Sequence, residues 1–269
     1  MTDSQPWQVR MFRKTLKKQL RLKELTELLG PIQPHEKCLL VTCGDNNGAM
    51  NYFLRELGGQ WSWAELETQS IEEMRELLNE EVMLGKFDHL EFKDQSFDRV
   101  VSIDCLEHIE DPMMLTNELY RISKTNGQVI ITVPGGDQRK VVNKMKNSVG
   151  MTKEEYGHVR DGLTIAELEP IMINAGYTLK ERVTFSKFFT EMVELSINLL
   201  YVKVLAKKSK AEVKEGTIAP ATKDQLKSVE KTYKMYAIVY PFFKAISSLD
   251  ALLFWNEGYV SMVEGTRDG

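Results

Sequence analysis

Cysteine is scarce in this chain. There are three in 269 residues (Cys38, Cys43 and Cys105), each inside an apolar run and none at metal-ligand spacing. No disulfide framework or cysteine-built metal centre is therefore expected, and no metal; the three read as small buried side chains in a reducing compartment. A surplus of positive charge is lacking too: the formal net charge is -4, which removes the usual ground for expecting nucleic acid as a partner. No leader-like segment is visible, since residues 1–6 are polar and a basic amphipathic stretch follows, so a cytoplasmic location is expected. Uninterrupted membrane spans are missing. Residues 188–205 are broken by Glu191, Glu194 and Lys203, and residues 236–255 by Pro241, Lys244 and Asp250. There is no internal repeat. What remains, at 42% hydrophobic and 28% charged, is an ordinary globular composition, long enough for one large domain or one domain with an insertion.

Residues 9–29 follow a helical pattern, with Phe12, Leu16 and Leu20 on one face and six basic residues elsewhere, and Gly30 and Pro31 stop it. Such a helix docks on a domain with a solvated basic face, or serves as a lid or a membrane-surface helix. Beyond it, short apolar runs alternate with helical patterns. Strands are expected at residues 38–43, 61–66, 81–84, 99–103, 128–133, 177–185 and 258–263, with helices at 49–57, 70–78, 112–123 and from Thr164. Alternation of this kind implies right-handed crossovers and a largely parallel sheet with helices on both faces. Ligands of such sheets lie beyond the carboxyl ends of the strands. The two apolar stretches 188–205 and 236–255 read as helices inserted before the last strand. They either pack on each other and the core, or form a greasy tunnel or a membrane contact.

The first buried strand ends in Cys43-Gly44-Asp45-Asn46-Asn47-Gly48. Gly44 lets the backbone turn and a ligand come close, Asn46 tolerates a left-handed conformation, and Gly48 opens a helix whose free amides favour electronegative groups. Glu65 closes the next strand, where a carboxylate can accept hydrogen bonds from both hydroxyls of a ribose. The G-x-G-x-x-G spacing of a nicotinamide site is absent, which argues against an oxidoreductase.

Two further runs add specificity: Ser96-Phe97-Asp98-Arg99-Val100-Val101-Ser102 and Asp104-Cys105-Leu106-Glu107-His108-Ile109-Glu110-Asp111-Pro112. With Leu119-Tyr120-Arg121-Ile122 and Asn126-Gly127-Gln128-Val129-Ile130-Ile131-Thr132-Val133-Pro134, they resemble the class I S-adenosylmethionine-dependent methyltransferases of the type-11 family, which act largely on small molecules and lipids. The similarity runs from about Cys38 to Pro134.

The resemblance implies an α/β, Rossmann-like sheet of seven mostly parallel strands, with S-adenosyl-L-methionine across its carboxyl edge and S-adenosyl-L-homocysteine as product. The expected organisation is an N-terminal helix or lid (1–35), a core (36–185), a helical insertion (186–256) and the last core strand (257–269). Carried over by position, Thr42, Cys43, Gly44, Asp45, Asn46 and Gly48 line the methionine moiety, Glu65 holds the ribose and Leu66 touches the adenine. Phe87 and Asp88 fall near the adenine, and Asp104, Cys105 and Leu106 line the methionine side. Departures from the family stand at Thr42, usually acidic, at Asn46, usually glycine, and at Lys86, where an aspartate is usual.

Methyl transfer from a sulfonium needs chiefly in-line positioning, and a base only where the acceptor must lose a proton. His108 is the candidate base, since histidine is the side chain that ordinarily titrates near neutral pH. Tyr156, His158 and Arg160 are candidates for the acceptor pocket, Arg160 suiting a carboxylate or phosphate. The expected function is methyl transfer to a small-molecule or lipid-like acceptor, oxygen preferred, with peripheral membrane contact as a further expectation. The alternative is an inactive scaffold on the same fold. Oligomeric state is not legible.

Overall fold

The computed structural model describes residues 5–44, 46–155, 157–200 and 223–268. Two helices open it, α1 (Trp7–Phe12) and α2 (Leu16–Leu29), followed by β1 (Lys37–Thr42), α3 (Ala49–Arg55), β2 (Gln60–Glu65), α4 (Ile71–Leu78), β3 (Val82–Leu84) and β4 (Phe97–Ile103). A one-turn 3-10 helix (Leu106–His108) leads into α5 (Pro112–Ile122), β5 (Ser123–Pro134), α6 (Val141–Ser148), α7 (Ile165–Asn174) and β6 (Tyr177–Phe185). Then come α8 (Phe188–Leu200), α9 (Lys223–Ser247), a second 3-10 segment (Ser248–Leu253) and β7 (Val260–Arg267).

The strands form one sheet in the order β3-β2-β1-β4-β5-β7-β6. β1 pairs in parallel with both β2 and β4, Thr42 facing Glu65 on one side and Ile103 on the other. Only β7 runs antiparallel, between β5 and β6. The chain order reverses at β1 and β4, so the ends of these two strands flank the crevice where a ligand of an open α/β sheet binds.

Strand alternation sorts β1 between two cores. Leu39 and Val41 join Leu115, Leu119, Leu168 and Met172 under α5 and α7. Cys38 and Leu40 join Leu25, Leu29, Leu54 and Met74 under α2, α3 and α4. β1 is buried on both faces, which is why it reads as a continuous apolar run rather than an alternation.

The N-terminal helix is broken at residues 13–15. Thr15 takes an extended conformation at the start of α2, and its hydroxyl donates to the Met11 carbonyl. α2 docks on the sheet rather than standing free. Arg99 from β4 donates to the Pro31 carbonyl and reaches Glu36, while Gln128 donates to the carbonyl of Leu28. Within the insertion, α9 runs through Pro241, and residues 201–222, which include the end of the apolar stretch 188–205, lie outside the described residues.

Candidate active site

A cavity of about 240 Å³ opens at the carboxyl edge of the sheet. Its floor is built by the residues that follow three strands: Cys43 after β1, Asp104 after β4, and Pro134 with Gly135 at the end of β5. His108, Glu107 and His158 stand beside them, and Lys17, Lys146 and Glu191 close the far side. The helix-borne groups come from α2, α6 and α8, so the N-terminal helix and the insertion roof a site that the sheet floors.

The glycine turn is held from within. Glu65 is fully buried, and its Oε1 accepts the backbone N–H of Gly44 (2.8 Å), Leu66 (2.9 Å) and Glu67 (3.1 Å). Its Oε2 accepts the Thr42 hydroxyl at 2.6 Å. Burial pushes this carboxyl up, with the four hydrogen bonds pulling the other way. Both oxygens of Glu65, the residue expected to hold a ribose, are engaged in tying β1 to β2. Thr42 is likewise engaged, accepting the amide of Asn46 at 3.2 Å as well.

Asn46 does not adopt the left-handed conformation expected of it; the positive angles fall on Gly44 (φ 76°) and Gly48 (φ 85°). Its side chain instead bridges the turn, donating to Asn51 Oδ1 at 2.7 Å and accepting the N–H of Gly48 at 3.0 Å. Cys43 and Cys105 are buried, their thiols pushed up by burial. Leu66 and Leu106 belong to the core, Phe87 packs half-buried against it, and Asp88 is exposed on the loop after β3. Asp45 and Tyr156 lie outside the described residues.

Glu67, which sequence reasoning passed over, stands two residues beyond Glu65 at the rim of the same turn. It is half exposed, and its Oε2 lies 2.7 Å from where a Cβ on Gly44 would stand. Its Oε1 is 4.0 Å from His108 Nδ1. An open glycine backbone facing an accessible carboxylate suits a ligand that bears a diol, because the backbone admits close approach and the carboxylate accepts two hydroxyls. The available signal was an acidic residue two positions beyond the strand end.

Asp104 sits at the end of β4 with φ 49°, a left-handed angle that aims its side chain across the cleft. Arg21 from α2 meets both its oxygens, at 2.8 and 2.7 Å. Between the glycine turn and α2 a gap of only about 30 Å³ remains, bounded by Phe12, Lys18, Arg21, Asn46 and Asp104.

Glu107 is buried at the cavity wall; burial and the neighbouring Asp104 charge push its carboxyl well above the ordinary range. Burial and His108 push the His158 imidazole down to about 4, against the pull of Asp104. Arg160 does not line the cavity. Its guanidinium donates to the carbonyls of Ile109 (2.7 Å) and Glu110 (2.5 Å), which corrects its expected role from acceptor binding to anchoring the loop that carries His158.

Five parallel strands, an antiparallel β7 between β5 and β6, and a ligand crevice after β1 and β4 define the class I methyltransferase fold. Residues 39–131 match the family model described as a methyltransferase domain. Phosphoethanolamine N-methyltransferase 2 of Caenorhabditis elegans is 39% identical over 59 residues, 22% of this chain and 14% of that protein. An uncharacterized protein of Methanocaldococcus jannaschii is 27% identical over 119 residues, 44% of this chain and 51% of that protein. The chain thus spans about half the length of one curated relative and far less of the other. Among solved structures, phosphoethanolamine N-methyltransferase 2 of Haemonchus contortus, in complex with phosphomonomethylethanolamine and S-adenosylhomocysteine, is similar at TM-score 0.57 and 17% identity. That match covers 93% of this chain and 53% of the other. Residues 39–131 thus carry a methyltransferase domain by similarity, and the class I methyltransferase fold extends through the rest of the sheet.

Proposed function

We propose that this protein transfers a methyl group from S-adenosylmethionine to a small-molecule or lipid-like acceptor held in the 240 Å³ cavity. One observation carries the reading: the cavity adjoins the Gly44 turn, and its floor is made of the residues that end β1, β4 and β5. When bound, the cofactor supplies an electrophilic methyl on its sulfonium. Gly44 and Gly48 would admit its methionine part, Glu67 would take the ribose hydroxyls, and Asp104 would face the methionine side. Leu66, Phe87 and Asp88 remain the proposed adenine contacts.

His108 is then the group placed to receive a proton from the acceptor, and His158 stands against it, the two rings 4.6 Å apart. Water exclusion falls to α2, α6 and α8. An oxygen acceptor is preferred because two imidazoles, His108 and His158, line the cavity. The similarity to a phosphoethanolamine methyltransferase favours a second reading, in which an amine is methylated. Incubation with radiolabelled S-adenosylmethionine and paired panels of hydroxyl and amine compounds separates the two, and transfer to neither panel contradicts both.

Membrane contact belongs to the same proposal. Residues Tyr233–Leu253 are long and apolar enough to cross a membrane by length and composition, and only 6% of that span is buried. Phe254 and Trp255, at 80% and 67% exposure, continue the apolar surface. Co-sedimentation with anionic vesicles is expected, and a protein that stays in the supernatant at low salt would contradict the contact.

A further inference from the structure

The wall of the cavity carries a cluster that methyl transfer by itself does not require. Glu107 is 1% exposed, and its Oε2 has no hydrogen-bond partner. His108 follows it on the same 3-10 turn, and His158 faces it from the loop between α6 and α7. One donor atom from each of the three lies within 4.8 Å of the others. All three line the cavity.

The backbone holds the two segments together. The Val159 N–H donates to the Glu107 carbonyl at 2.9 Å, one residue from His158. Arg160 fastens the next position to the carbonyls of Ile109 and Glu110. The separation between Glu107 and His158 is thus set by bonded main chain rather than by free side chains, which is the preorganisation a ligand site needs.

We propose that Glu107, His108 and His158 bind a divalent first-row transition-metal cation that faces the acceptor cavity. Bonds near 2.1 Å place donors roughly 3 to 4 Å apart, so small side-chain rotations suffice to close on an ion. Two imidazoles with one carboxylate select zinc, manganese or iron over magnesium or calcium, which prefer all-oxygen sites. A buried carboxyl oxygen without a partner is costly, and the cation supplies what Oε2 lacks. Asp104 adds a second carboxylate to the same cavity.

Cys43, Glu67 and His108 form another candidate set among the described residues. Its Glu67 is half exposed and stands where the cofactor ribose is proposed to lie, which leaves the Glu107 set as the better site. Three protein ligands leave positions open for an acceptor oxygen, and a coordinated hydroxyl is more acidic than a free one. His108 then acts as a ligand rather than as the base. This last point rests on the methyltransferase reading; cation binding does not.

The test uses the full chain dialysed against a chelator, titrated with Mn²⁺ by electron paramagnetic resonance and with Zn²⁺ by calorimetry. Wild type, His158→Ala and Glu107→Gln are compared, with circular dichroism confirming the fold. One cation per chain is expected, bound at least about tenfold more weakly in each variant. His158→Ala, on a half-buried loop, decides the matter if Glu107→Gln does not fold. No binding at millimolar Zn²⁺ and Mn²⁺, or equal affinity in wild type and His158→Ala, overturns the proposal. S-adenosylhomocysteine is titrated into the same samples. Its binding without any cation binding overturns the metal site alone; cation binding without it supports the site and overturns the methyltransferase reading.

Discussion

Replacing Glu191 by glutamine tests how the roof of the cavity is held. Glu191 on α8 is fully buried, with Lys146 Nζ at 2.5 Å, Lys17 Nζ at 2.9 Å and the Ser186 hydroxyl at 2.6 Å. Burial opposes its ionisation, yet the two ammonium groups outweigh burial and hold its pKa at about 2 instead of 4.5. A depression of that size corresponds to roughly 3 kcal/mol of folding free energy. The sign follows from the lowered folded value. The stabilisation is fully present above the unfolded pKa near 4.5 and is lost as pH falls from there through about 2. Glu191→Gln removes the charge and leaves two lysines around a neutral amide, so the expected loss at pH 7 is about 3 kcal/mol, or roughly 6 to 12 °C in Tm. Urea melts of both proteins between pH 7 and pH 3 check this. The difference between them should shrink as pH falls, because only the wild type loses this contribution. A variant as stable as wild type at pH 7, or a difference that does not change with pH, would refute the reasoning.

Three further outcomes follow from the cleft. Glu65→Gln should lower stability by about 1 to 3 kcal/mol, since an amide cannot serve three N–H donors and a hydroxyl as a carboxylate does; calorimetric unfolding measures it. Glu67→Gln should leave stability near wild type and weaken S-adenosylhomocysteine binding by about tenfold, as a charge-assisted pair to a diol is worth on the order of 1.5 kcal/mol. The opposite pattern would return the ribose to Glu65. Arg21→Ala should raise the association rate of S-adenosylhomocysteine in stopped-flow, because Arg21 bridges α2 to Asp104 across the narrow gap. An unchanged rate would show that α2 does not gate the cleft.

The sheet was legible because buried parallel strands leave apolar runs between glycine turns, as residues 38–43 do. The strand at 128–133 was read short: β5 begins at Ser123, and Lys124, Thr125, Asn126 and Gly127 hide its start behind polar side chains. The break within residues 9–29 was hidden because both halves keep the same apolar face. Glu65 and Glu67 were not separable by sequence, since both are acidic and near a strand end. The register that sets Thr42 opposite Glu65 is what engages one and leaves the other accessible. The clusters at His108 and His158, and at Lys17, Lys146 and Glu191, join segments far apart in the chain. Neither spacing nor periodicity reports such contacts, which is why no metal ligands were expected and why Arg160 was read as an acceptor contact.

Calorimetric titration of S-adenosylhomocysteine into wild type and Gly44→Arg tests the central claim most directly. Gly44 has φ 76°, and a Cβ there would meet the Glu67 carboxylate at 2.7 Å, so a bulky side chain blocks the turn without touching the sheet core. Saturable binding of one ligand per chain, lost in a folded Gly44→Arg, is the predicted result. No heat at millimolar ligand, or equal binding by the variant, would contradict a cofactor site at the end of the first strand.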